Sequence, residues 1–110
     1  MTRRIEKVNS LLRREISQAI LKEIDFGDTL VTITDINTNR NLLESEILIT
    51  VLPQEKEKEA LRVLKNNIYD IQKIIDKRLK MRPVPKICFR IDEGMKNFYK
   101  IDSISREGKY

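Results

Sequence analysis

The stretch that decides the fold is Leu61–Asp92, LRVLKNNIYDIQKIIDKRLKMRPVPKICFRID. Leu61 and Leu64, with Ala60 before them, form one apolar edge at helical spacing, and Ile68, Ile71, Ile75 and Leu79 form a second. Asn66-Asn67 stands between the two series. Asn is a weak helix former that tolerates left-handed backbone, so the reading is two helices, 54–65 and 68–80, with a break between them. One unbroken helix is the alternative. Pro83 ends the helical pattern and pushes Arg82 into extended backbone. Ile87, Phe89 and Ile91 then alternate with Cys88, Arg90 and Asp92, the period of a strand over 87–92.

Upstream, Ile5, Val8, Leu12, Ile16, Ala19, Ile20 and Ile24 make a single buried stripe on a helix over 3–24. Asp25-Phe26-Gly27-Asp28 ends it, with Gly27 suited to the positive φ of a helix stop. The same letters D-F-G hold Mg²⁺ in kinases, but no glycine-rich loop, strand lysine or H-R-D loop accompanies them here, so they read as a turn. The β-branched run at 30–36, LVTITDI, predicts a strand. After the polar turn NTNRN at 37–41, the segment 44–52, ESEILITVL, predicts a second. A short polar link makes the pair an antiparallel hairpin whose inner face meets the stripe of the first helix. A short last helix is expected over 95–104 through Phe98, Ile101 and Ile104, followed by a frayed tail at 105–110.

The order is helix, strand, strand, helix, helix, strand, which predicts one α+β domain over 1–110 with helices on one face of a three-stranded sheet. At 110 residues and 40% hydrophobic content there is material for one core and not for two. The net charge of +5 favours phosphate-bearing partners, although a charge of this size also serves plain solubility. The chain has no His and one Cys, which removes the commonest general base and leaves no thiolate zinc set or internal disulfide. No catalytic residue, metal or cofactor is therefore expected. The N-terminus lacks a signal-like apolar region, and no apolar run approaches the ~18 residues of a membrane span, so a cytoplasmic monomer is the expectation.

That element order is the type II KH arrangement, and the wording of the sequence resembles the bacterial ribosome-binding factor A family along nearly its whole length. The resemblance rests on RIEKVNSLLRREISQAI at Arg4–Ile20, TLVTITDI at Thr29–Ile36, ILITV at Ile47–Val51 and KIDSI at Lys100–Ile104. Its most specific element is RPVPKICFRIDE at Arg82–Glu93, where Arg82, Pro85, Phe89 and Asp92 fall at the family spacing. Membership implies a non-enzymatic factor that binds the free small (30S) ribosomal subunit, contacts its 16S rRNA, and assists late maturation and rRNA processing, including in the cold. A basic protein–protein adapter of the translation machinery, making no direct RNA contact, is the competing reading. Two positions depart from the family. Asn67-Ile68-Tyr69 stands where an Ala-x-Gly kink is usual, and Asn41 where Asp is often found.

A KH module clamps single-stranded nucleotides with a G-x-x-G loop, whose backbone approaches the phosphates. Gly27, Gly94 and Gly108 all lie away from the helix pair, so binding must come from side chains. Between residues 73 and 90, Lys73, Lys77, Arg78, Lys80, Arg82, Lys86 and Arg90 face one acid, Asp76. The candidate RNA-binding face is Lys65, Asn66, Asn67, Lys73, Lys77, Arg78, Lys80, Arg82 and Lys86, extended from the first helix by Arg3, Arg4, Arg13 and Arg14. Lys73, Lys77 and Lys80 follow a four-and-three spacing that predicts one helix side. An ordinary solvated surface is the alternative for Lys73 and for the first-helix arginines, and Arg82 is also placed to pair structurally with Asp92. Tyr69 and Tyr99 are the only plausible base-stacking rings, and packing is the favoured role for both.

Overall fold

Helix α1, Arg3–Glu23, supplies the stripe against which the rest of the chain packs. Its inward positions Val8, Leu12, Ile16, Ala19 and Ile20 are buried, with Ile5, Leu11 and Ile24 packed at the margin. The computed structural model describes residues 3–94. The helix expected over 95–104 therefore lies outside the described residues, as do Tyr99 and the tail. After α1, Asp25 accepts a hydrogen bond from the Gly27 backbone at 2.9 Å, and Gly27 takes φ +63°. The D-F-G letters are thus the helix stop that turns the chain toward the sheet.

Strands β1 (Leu30–Thr38) and β2 (Glu44–Leu52) form the antiparallel hairpin, and β3 (Lys86–Ile91) lies parallel to β2 in the order β1-β2-β3. β1 is two residues longer than the sequence pattern predicts, because Asn37 and Thr38, read as part of the polar turn, still pair with Glu46 and Ser45. Val31 and Ile33 lie opposite Val51 and Ile49, the register shifts between Ile33 and Asp35, and then Ile36 and Thr38 lie opposite Ile47 and Ser45. The extra residue, Thr34, moves the inward side from odd to even positions, so both halves of β1 keep facing the buried side chains of β2.

The hairpin turn is built by side chains. Asn39 Oδ1 accepts from the backbone N–H groups of Leu43 and Glu44 at 3.2 and 3.1 Å, and Asn41 Oδ1 accepts from Leu43 at 3.0 Å. A carboxylate could accept the same hydrogen, so this turn needs an oxygen at position 41 and not specifically an Asp.

From β2 the chain passes through a short 3₁₀ turn, Gln54–Lys56, into α2 (Glu57–Asn66) and α3 (Ile68–Arg78). These paired helices form the crossover that a parallel β3 demands. α3 stops two residues short of the predicted 80, because Leu79 swings to ψ 139° while remaining buried. α1 packs on α3 and β1, and α2 on β2 and β3, so the helices share one face of the sheet. Ile47, Ile49, Leu64, Ile71, Ile75 and Phe89 are fully enclosed between the layers.

Two polar stitches lock the layers in register, and neither was evident in the sequence. Asn9 on α1 donates to the Ile36 carbonyl at 3.1 Å and accepts from Thr38, whose hydroxyl also meets Ser45 at 2.7 Å. Gln72 on α3 donates to the Pro85 carbonyl at 3.0 Å and accepts from the Ile87 backbone at 3.0 Å, fixing where β3 begins.

Candidate nucleic-acid interface

The helix layer carries the basic residues, and the ends of its helices decide which of them point to water. Lys65 and Asn66 close α2 and are exposed. Lys73 and Lys77 sit one turn apart on α3, also exposed. Lys80 corrects the sequence reading: α3 has ended at Arg78, so Lys80 lies on the extended turn and shares no helix side with Lys73 and Lys77. Among the described residues, Lys65, Lys77 and Lys80 make no ion pair. Asp76, the one acid among these cations, is engaged by the Gln72 amide at 3.1 Å. Lys77 and Arg78 also complement the negative end of the α3 dipole, which contributes to stability whether or not a ligand binds.

Other candidates are committed inside the protein. Glu15 sits on the inward stripe of α1 and is only 4% exposed. Its carboxylate accepts from Arg78 Nε at 2.9 Å and from Arg14 Nη2 at 3.3 Å, so α1 and the last turn of α3 are joined by one buried acid between two cations. The signal for Glu15 was its position, between Leu12 and Ala19 on the apolar stripe, which composition and charge counting pass over. The same contact brings Arg14 and Arg78 together, so of the first-helix arginines it is Arg14 that meets the end of α3. Arg13 reaches the β1 backbone, donating to the Ile33 carbonyl at 3.0 Å. Asn67 turns its amide back onto the Val63 carbonyl at 2.8 Å, closing the last turn of α2.

Arg82 does not follow the pairing raised from the sequence. Its Nη1 donates to the Leu79 and Met81 carbonyls at 3.1 and 2.6 Å, while Asp92 accepts from the Thr34 hydroxyl at 2.5 Å. Arg82 therefore secures the turn after α3, and Asp92 secures the bulge. Lys86 begins β3 on the side turned away from the helices, opposite Glu44 in register and beside Glu46 in an open depression. It is not joined to the α3 cations. Arg3 and Arg4 line a separate shallow depression with Glu6, Lys7 and Ser10 at the start of α1.

The candidate face thus separates into parts. The junction of α2 and α3 presents Lys65, Asn66 and Lys73 to solvent, and the end of α3 adds Lys77 and Lys80 beside the half-exposed Arg78. Tyr69 was assigned to packing, but it is 71% exposed, with the Lys73 ammonium 5.6 Å from its ring centroid. Cys88 is exposed on the open sheet face, and among the described residues no group of His, Cys, Asp and Glu is arranged to hold a metal. No helix among the described residues is long and apolar enough to cross a membrane.

These features define a type II KH-like α+β domain with exposed basic side chains on its helix layer. Solved structures share the architecture: ribosome-binding factor A from Thermus thermophilus superposes with a TM-score of 0.69 at 19% identity, over 78% of this chain and 92% of that one. A ribosome-binding factor A homology model from the same organism, fitted into a cryo-EM map of a 30S complex, superposes with a TM-score of 0.60 at 20% identity, over 74% of this chain and 88% of that one. The chain belongs to the ribosome-binding factor A family, whose profile matches residues 4–105. Among curated members, that of Akkermansia muciniphila is 32% identical over 86% of this chain and 75% of its own length. That of Prochlorococcus marinus is 34% identical over 86% and 80% respectively.

Proposed function

We propose that this protein binds the free 30S ribosomal subunit as a monomer, contacts its 16S rRNA through the helix layer, and assists late maturation and rRNA processing in the cytoplasm, including cold adaptation. It does so by binding and catalyses no bond-making itself. The observation that carries the reading is the group of lysines, Lys65, Lys77 and Lys80, exposed and without an ion-pair partner among the described residues, on a KH-like helix pair that has no glycine clamp. Lysines so placed bind phosphates as point charges and confer affinity and orientation with little base reading. Specificity then comes from the shape of folded RNA and from neighbouring ribosomal proteins.

The test is co-sedimentation and crosslinking with small-subunit precursors across a salt series. Each phosphate neutralised adds close to one unit to the slope of log affinity against log salt. The double variant Lys77→Glu, Lys80→Glu is expected to lose binding and to flatten that slope by about two units while remaining folded. Arg78 is left out of the charge reversal because a carboxylate there would face buried Glu15 and unfold the seam. Unaltered occupancy of the double variant would remove this face from the interface. Association that survives RNase digestion of the rRNA would favour the adapter instead.

A further inference from the structure

The aromatic side chains among the described residues are Phe26, Tyr69 and Phe89; Phe89 is buried, Phe26 packs partly buried against the core, and Tyr69 is exposed. A single exposed ring means little by itself, since apolar side chains scatter over every protein surface. Tyr69 differs in where it stands. It is the second residue of α3, immediately past the helix break at Asn67, with Lys65 and Asn66 exposed just before it. Lys73, one turn on, holds its ammonium 5.6 Å from the ring centroid. The other large exposed apolar residues, Leu21, Leu30, Leu43 and Leu52, are aliphatic and have no flat face to offer. The junction of paired helices is also where a KH module brings glycine backbone against nucleotides, and this chain has no glycine there.

We propose that Tyr69 is a stacking platform for one unpaired nucleobase, with Lys73 neutralising a neighbouring phosphate. The proposal rests on the RNA-binding reading above and deepens it, because lysines alone grip any polyanion whereas a ring selects RNA whose bases are splayed out. Stacking is tolerant of base identity, since every base has a π-face, so the ligand class is a single-stranded or looped segment rather than a defined sequence. The ammonium beside the ring makes a cation–π contact that holds the side chain outward before RNA arrives. A side chain held in its bound orientation loses less freedom on binding.

Tyr69→Ala, Tyr69→Phe and Tyr69→Trp separate stacking from packing. Tyr69→Ala is expected to weaken small-subunit binding by about 5- to 160-fold, the usual loss for one stacked base, with the unfolding midpoint unchanged. Tyr69→Phe and Tyr69→Trp are expected to bind like the wild type. The chain has no Trp, so Tyr69→Trp carries the sole indole, whose emission should be quenched and shielded from acrylamide on bound particles. Wild-type affinity in Tyr69→Ala, or an indole equally open to acrylamide in the bound and unbound protein, overturns the proposal and leaves the RNA-binding reading intact. If the wild type itself ignores small subunits, that broader reading falls. Titrating Tyr69→Trp with an unstructured RNA oligonucleotide at low salt then decides the platform alone: quenching supports it and constant emission overturns it.

Discussion

At the α1–α3 seam, Arg14 and Arg78 turn their guanidinium groups onto Glu15, a carboxylate only 4% exposed. At the α2–α3 junction, one helix length away along α3, Lys65 and Asn66 face water and Lys73 lies over an exposed ring. Both regions are basic and polar, and from sequence they belong to one patch. The difference follows from the chemistry of the two cations and from what lies beneath them. A guanidinium is planar, carries several donors and is weakly hydrated, so it can approach a buried acid and remain half in solvent. An ammonium on a flexible stem, with no buried acid below it, stays hydrated and available to an incoming phosphate. Basic residues in this protein therefore serve two purposes: the arginines of the seam hold helices together, and the lysines of the junction await a partner.

The largest effect that tests this division is on folding. Arg78→Ala leaves Glu15 buried with only Arg14 at 3.3 Å to compensate it. Removing one partner of a well-buried pair costs about 3–5 kcal/mol, and because Arg78 is more than half exposed the expectation here is about 2–3 kcal/mol. Urea unfolding checks it, and a loss below about 0.5 kcal/mol would move Arg78 back into the ligand-binding set. The converse substitution, Glu15→Leu, is expected to change stability by no more than about 1 kcal/mol in either direction. It removes the buried charge, fills the space on an apolar stripe, and leaves two arginines already in contact with water. The two substitutions cut the same ion pair, so their inequality locates the cost in the desolvated acid. Equal losses would show that the pair itself carries the energy.

Much of the architecture was legible in the sequence because it depends on periodicity. The stripe of α1, the alternation in β2 and β3, and the interruption at Asn66-Asn67 each follow from apolar spacing or backbone preference, and a domain with one core has few ways to combine them. The bulge at Thr34 was not legible, since LVTITDINT alternates on both sides of it and only the pairing with β2 reveals the change of parity. The sequence pattern placed the basic residues near one another but could not divide them by role. That division depends on Glu15, which lies 63 residues before its partner Arg78. It depends also on Leu79 leaving the helix, which takes Lys80 off the side occupied by Lys73 and Lys77. Tyr69 was misassigned because aromatic residues at helical spacing usually face a core. Its ring falls two positions before buried Ile71, on the outer side of α3.

The smallest expected effect concerns Asn67, the amide at the break between α2 and α3. Its Nδ2 donates to the Val63 carbonyl at 2.8 Å, and its backbone N–H is shared between the Val63 and Leu64 carbonyls at 3.1 and 3.2 Å. The side chain thus adds a second donor to a carbonyl that the backbone already engages. Asn67→Ala removes the amide and keeps the backbone. It loses that hydrogen bond, worth about 0.5–1 kcal/mol at a half-buried site, and because Asn67 sits at φ −101°, ψ 5° between the helices, Ala brings no interior helix propensity to offset it. Stability should therefore fall by no more than about 1 kcal/mol, and binding to small subunits should stay at the wild-type level. An amide that serves only the helix end predicts both results together. A tenfold loss of binding with unchanged stability would mean that the amide leaves Val63 for RNA, and that Asn67 belongs with Lys65 and Tyr69 on the side that meets the ligand.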